Sequence, residues 1–114
     1  MSLDLFVLGP EDAPTFERAM NVVMGAEPGV ADSTDKLESY AREVYDAYSD
    51  DDWPFAGDPI VEDSFVQLVV ATESWSREVP QLVERAHRGG LVAVDPQFGG
   101  AGRLFALGDP DPDG

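Results

Sequence analysis

Segments that alternate in character, in the order strand, two helices, strand, helix, strand, strand, predict an α+β fold with helices packed over one sheet. Three observations carry that expectation. A short apolar run opens the chain, three later stretches repeat apolar residues at helical spacing, and a β-branched run marks the second half. The chain has 114 residues, of which 43% are hydrophobic, including six Phe, three Tyr and two Trp. That length suits one domain, and a chain of this size buries roughly 65% of its extended surface.

Leu3-Asp4-Leu5-Phe6-Val7-Leu8, closed by Gly9-Pro10, reads as the first strand, with Leu3, Leu5 and Val7 on one face. Phe16, Ala19, Met20, Val23 and Met24 follow at i, i+3, i+4, i+7 and i+8 and predict a helix. Pro14 suits its first turn, and Gly25 with Pro28-Gly29 ends it. A longer helix is expected from about Asp35 to Tyr48, on the stripe Leu37, Tyr40, Ala41, Val44, Tyr45 and Tyr48, capped by Ser33 or Thr34. From Ser49 to Asp63 the pattern breaks into an aromatic-bearing loop.

Ser64 to Thr72 is the strongest strand, with Val66, Leu68 and Val70 toward the core. Trp75-Ser76 opens the next helix, carried by Val79, Leu82, Val83, Ala86 and His87 and stopped by Gly89-Gly90. Pro80 belongs in its first turn or at a kink. Leu91 to Asp95 and Arg103 to Leu107 complete the strands, joined through Phe98-Gly99-Gly100.

Three or four strands with all helices on one face give a small ferredoxin-like sandwich. Leu5, Val7, Val66, Leu68, Val70, Val92 and Val94 would then meet the helices. Phe6, Leu8, Phe65, Val69 and Ala71 would lie on the opposite face, which is too apolar to stay wet. The 49–63 loop, the tail or another chain is expected to cover it. Residues 1–107 form the domain, and 108–114 form a loose acidic tail.

Seven Lys plus Arg stand against 23 Asp plus Glu, a net charge of −16. Nucleic acid needs cations to displace its counterions, and an anionic membrane surface needs them too, so neither is an expected partner. With no cysteine there are no disulfides, thiolate metal sites or cysteine nucleophiles. Without a basic leader or a long apolar run, the expectation is a cytoplasmic domain.

The order of pieces resembles a family of small uncharacterised bacterial proteins. Those pieces are Asp4-Leu5-Phe6-Val7-Leu8, Trp53-Pro54-Phe55-Ala56-Gly57-Asp58-Pro59, Phe65 to Thr72, Trp75-Ser76, Val79 to His87 and Val92-Ala93-Val94-Asp95. Members are similar to the acidic immunity proteins encoded beside polymorphic toxins. The resemblance covers most of residues 1–97 and implies an inhibitor rather than an enzyme. The sequence departs from the pattern in the compact segment between its first two helices and in the Gly-rich addition after Asp95.

Charge distribution supplies the leading functional expectation. Glu43, Asp46, Asp50, Asp51, Asp52, Asp58, Glu62, Asp63 and Glu73 follow one another without an intervening base. Such a run fits either a solvated surface or a patch matched to a basic partner, where clustering accelerates encounter. The candidate contacts are Asp50, Asp51, Asp52, Trp53, Asp58, Glu62 and Asp63, with Trp53 and Phe55 either anchoring the partner or plugging the sheet.

No catalytic residue, metal site or cofactor is expected. Asp50-Asp51-Asp52 and the acidic tail lack the closing Glu and the spacing of a calcium loop. Ser76 fits a helix cap better than a nucleophile, and Gly99-Gly100-Ala101-Gly102 fits a turn better than a phosphate cradle. Two other readings stay open: a ligand or enzymatic pocket near Trp75, His87 and Asp95, and a subunit that dimerises through the open sheet face.

Overall fold

The computed structural model describes residues 2–29, 34–48, 55, 57–62, 64–96 and 103–105. The elements run β1 (Ser2–Leu8), α1 (Phe16–Val23), α2 (Thr34–Ala47), β2 (Ile60–Val61), β3 (Phe65–Ala71), α3 (Trp75–Arg88), β4 (Val92–Asp95) and β5 (Arg103–Phe105). Short 3-10 turns at Pro10–Asp12 and Thr72–Ser74 follow β1 and β3. The strands form one antiparallel sheet in the order β2-β3-β1-β4-β5.

This is the α+β, ferredoxin-like arrangement. The strands β1 and β2 flank β3, and β3 and β4 flank β1, so two split β-α-β units interlock. The sheet has five strands rather than three or four. β5, expected over Arg103 to Leu107, extends the far edge, and the addition is β2, which comes from within the segment read as loop. Two residues are too few to show an alternating pattern, so β2 left no sequence signal.

Helices α2 and α3 cover one face. There Leu5, Val7, Val66, Leu68, Val70, Ala93 and Phe105 pack against Leu37, Tyr40, Val44, Val79, Leu82, Val83 and Ala86. The two helices run antiparallel. Asp35 and Lys36 in the first turn of α2 lie by Gly89 at the end of α3. Tyr40, midway along α2, donates its hydroxyl to the Leu82 carbonyl at 2.9 Å, and Glu43 pairs with Arg85 at 2.8 Å. Farther along, Tyr48 lies beside Glu78 in the first turn of α3.

Helix α1 lies on the other face, which corrects the expectation of all helices on one side. Ala19 and Val22, with Phe16, Met20 and Val23, pack on Phe6, Leu8, Phe65, Val92, Val94 and Leu104. The cover expected from the 49–63 loop, the tail or another chain is therefore supplied by α1. Its pattern already showed an apolar stripe but could not say which face the stripe would meet.

The expected facing of β4 is corrected as well. Val92 and Val94 pair with Leu8 and Phe6 and so face α1, while Ala93 pairs with Val7 under α2 and α3. All four β4 residues are buried, so alternation was unreadable there.

Several boundaries follow from local chemistry. Thr15, not Pro14, begins α1, its hydroxyl accepting from the Arg18 amide at 3.1 Å. Helices α1 and α3 end in the same way. Gly25 (φ 80°) and Gly90 (φ 77°) take the left-handed conformation. The next amides, of Ala26 and Leu91, reach back to Asn21 and Ala86 carbonyls at 2.8 Å, closing Schellman motifs.

Pro80 sits in the second turn of α3, and the carbonyl it leaves without a donor belongs to exposed Ser76, where water can satisfy it. Ser74 rather than Ser76 occupies the position before that helix. Among the described residues no helix is long and apolar enough to cross a membrane. Ser33, the Gly99–Gly102 turn and residues 108–114 lie outside the described residues.

Candidate binding surface

The edge chain beside β3 is attached at two places. Phe55 bridges Val70, and its ring is buried against Tyr48 in an edge-to-face contact with centroids 5.4 Å apart. Farther on, Ile60 opposes Gln67 and Val61 opposes Val66, and the Glu62 amide closes the turn onto the Phe65 carbonyl at 2.8 Å. The five steps of chain from Phe55 to Ile60 run alongside only three steps of β3, from Val70 to Gln67. The extra length is taken up around Gly57, Asp58 and Pro59, a bulged edge. Phe55 thus plugs the sheet rather than anchoring a partner.

The result is a small mixed surface. Ile60 and Val61 are 43% and 41% exposed, among the few large apolar side chains left in water. Exposed Asp58 precedes them and exposed Glu62 follows. Of the expected contact residues, the structure brings Asp58 and Glu62 to the two ends of β2. Asp50, Asp51, Asp52, Trp53 and Asp63 lie outside the described residues.

The internal ion pairs leave this edge untouched. Arg18 pairs with Glu27, Arg77 with Glu78 and Arg85 with Glu43. Asp46, Asp58, Glu62 and Glu73 are exposed and form no ion pair with another described residue. Among the described residues of the long acidic run, only Glu43 is paired with a base, Arg85.

A second polar region lies between α2 and α3. A cavity of about 220 Å³ is lined by Asp35, Lys36, Ser39, Tyr40, Glu43, Arg85 and Gly89. Its strongest groups are already engaged, Tyr40 with Leu82 and Arg85 with Glu43. These two contacts fasten α2 to α3, while Asp35, Lys36 and Ser39 complete the polar part of the lining.

At the other end of the same helix pair sits a feature that the sequence reading missed. Glu78 is buried, one carboxylate oxygen meeting Arg77 Nε at 2.8 Å and the other without a hydrogen-bond partner. Tyr48 lies alongside, its hydroxyl likewise lacking a well-formed hydrogen bond. Burial first, then the adjoining carboxylate, pushes the Tyr48 hydroxyl far above its usual range. The available signal was positional: Glu78 falls three residues after Trp75 and four before Leu82, inside the buried stripe.

His87 is half-buried, and its Nε2 donates to the Phe105 carbonyl at 2.9 Å, tying α3 to β5. Asp95 is buried in β4 and already engaged. Neither Trp75, His87 nor Asp95 lines the cavity between α2 and α3. Among the described residues no three acids or histidines gather as metal ligands.

The chain matches no family model, no curated protein and no solved structure.

Proposed function

We propose that the chain is a non-catalytic binding protein that engages a basic protein partner, as an immunity protein engages its cognate toxin. The observation that carries this reading is the β2 edge, where exposed Ile60 and Val61 stand between exposed Asp58 and Glu62. Desolvating the aliphatic pair supplies affinity, and the flanking carboxylates supply steering and register. The internal ion pairs of Arg18, Arg77 and Arg85 support the reading further, because they leave these acids uncompensated. Asp50, Asp51, Asp52, Trp53 and Asp63 are close in sequence to this edge and are assigned to the same contact.

The competing readings have less support. The face on which a dimer was expected is occupied by α1, and one ring nitrogen of His87 is bonded to the Phe105 carbonyl. The test is kinetic. A partner captured from the host should have an isoelectric point above about 9. Replacing Asp58 with Asn and Glu62 with Gln, alone and together with Asp50–Asp52→Asn, should slow its association and flatten the salt dependence. An association rate at low salt that ignores these replacements would end the proposal.

A further inference from the structure

Deepening the proposed function, and resting on it, we infer that β2 is an acceptor edge that takes up one extended, basic segment of the partner as an added antiparallel or parallel strand. The inference begins with hydrogen-bond directions. In an antiparallel pair, successive residues of one strand point their backbone groups alternately toward and away from the neighbour. The Glu62 amide is bonded to Phe65, and Ile60 opposes Gln67 two residues along, so those two residues face β3. Val61 lies between them, and its N–H and C=O therefore point away from the sheet. The sheet ends at β2, and among the described residues no strand lies beyond it.

An open edge usually attracts whatever strand is at hand, a second copy included. Here the surrounding charge selects the occupant. Asp58 and Glu62 flank the acceptor groups, and the whole chain carries −16. A second copy would bring like charge against like charge, whereas a strand bearing Lys or Arg finds opposite charge at both ends of β2. Exposed Ile60 and Val61 give that strand one apolar side chain to cover on each face of the sheet.

Pro59 sharpens the register, since it has no amide and Val61 is left as the outward donor nearest the centre of the edge. The surface is small, so the added strand fixes orientation while charge supplies much of the attraction.

Val61 also provides the test. Because its amide bonds nothing in β3, Val61→Pro removes the outward donor without breaking a ladder bond, and an edge strand tolerates proline. The probe is an eight-residue peptide of alternating lysine and valine. A second peptide has the same sequence but is N-methylated at every residue, keeping the charge and losing the donors.

At low salt the first peptide is expected to bind the full chain and to slow exchange of the Val61 amide. Val61→Pro and N-methylation should each weaken binding about tenfold, while the circular dichroism of the variant stays unchanged. Should Val61→Pro misfold, the N-methylated peptide on the unaltered chain still decides the matter. Equal binding of both peptides would overturn strand addition but leave the acidic surface standing, provided Asp58→Asn with Glu62→Gln weakens both. No binding of either peptide at low salt would overturn both readings. Self-association abolished by Val61→Pro would seat a second copy on β2 and refute the basic occupant.

Discussion

One face of the sheet lies under two fourteen-residue helices that are fastened to each other; the other lies under the eight-residue α1, fastened mainly to its own following loop. Tyr40 to Leu82 and Glu43 to Arg85 join α2 to α3. On α1, Arg18 reaches Glu27 and Pro28, and Asn21 donates to Glu27 at 2.8 Å, all within a single loop-and-helix unit. Both faces bury aliphatic and aromatic side chains, more of them under α2 and α3 than under α1. They also differ in connectivity, which determines how each face responds when something is removed.

The largest expected effect tests that difference directly with one substitution on each face. Leu68 and Leu8 are both fully buried, Leu68 beneath α2 and α3 and Leu8 beneath α1. Leucine-to-alanine changes in cores cost about 2–5 kcal/mol, and the value rises where surrounding structure cannot collapse into the cavity. Leu68→Ala should cost about 4 kcal/mol, because its helices hold each other in place. Leu8→Ala should cost about 3 kcal/mol, because α1 can settle inward with its loop. Urea denaturation of both variants measures the gap. Equal losses, or a larger loss at Leu8, would mean that the faces respond as one body.

Much of this division is legible in the sequence. The stripe on α2, the Val66-Leu68-Val70 face and the Gly25 and Gly90 stops all rest on strong local patterns. What could not be read was the assignment of faces. Residues of β4 are apolar on both sides, so its register waited on pairing with β1. Helix α1 announces a buried stripe, but only the topology says which side of the sheet it meets. At the candidate surface, Asp58 and Glu62 were legible from charge alone. The acceptor geometry was not, because two residues at an edge leave no periodic trace and Val61 gains its outward direction only from the partner strand.

A smaller effect distinguishes the faces by pH. Burial above all keeps the Tyr40 hydroxyl protonated well beyond its ordinary range, and Tyr48 is raised as well. Both belong to the face under α2 and α3, whereas α1 carries no tyrosine. An unfolded tyrosine titrates at about 10, so the folded state binds protons that the unfolded state has lost once pH exceeds that value. Stability should be complete below pH of about 10 and fall above it, with Tyr40 contributing a slope of about 1.4 kcal/mol per pH unit. Tyr48 adds less, because it is only half-buried. Tyr40→Phe should lose about 1 kcal/mol at neutral pH with its bond to Leu82, and should flatten the alkaline fall. An alkaline limb unchanged in that variant would remove Tyr40 as its source.

The smallest expected effect compares the two helix ends. Gly25 and Gly90 share a left-handed backbone and the same closing hydrogen bonds, so Ala at either position should cost about 1 kcal/mol from the backbone alone. Their surroundings differ. A β-carbon at Gly25 meets nothing within 4 Å, whereas one at Gly90 would lie 3.3 Å from Lys36 Nζ, across the seam between α3 and α2. That amine ends a flexible side chain and can withdraw, so Gly90→Ala should exceed Gly25→Ala by only a few tenths of a kcal/mol. The separation should appear in hydrogen exchange more clearly than in the total. Gly25→Ala should speed opening of α1 alone, while Gly90→Ala should loosen α2 and α3 together. If Gly25→Ala raised exchange in α2, the loop-and-helix unit on the second face would be coupled to the first through the sheet, and the mechanical contrast between them would not hold.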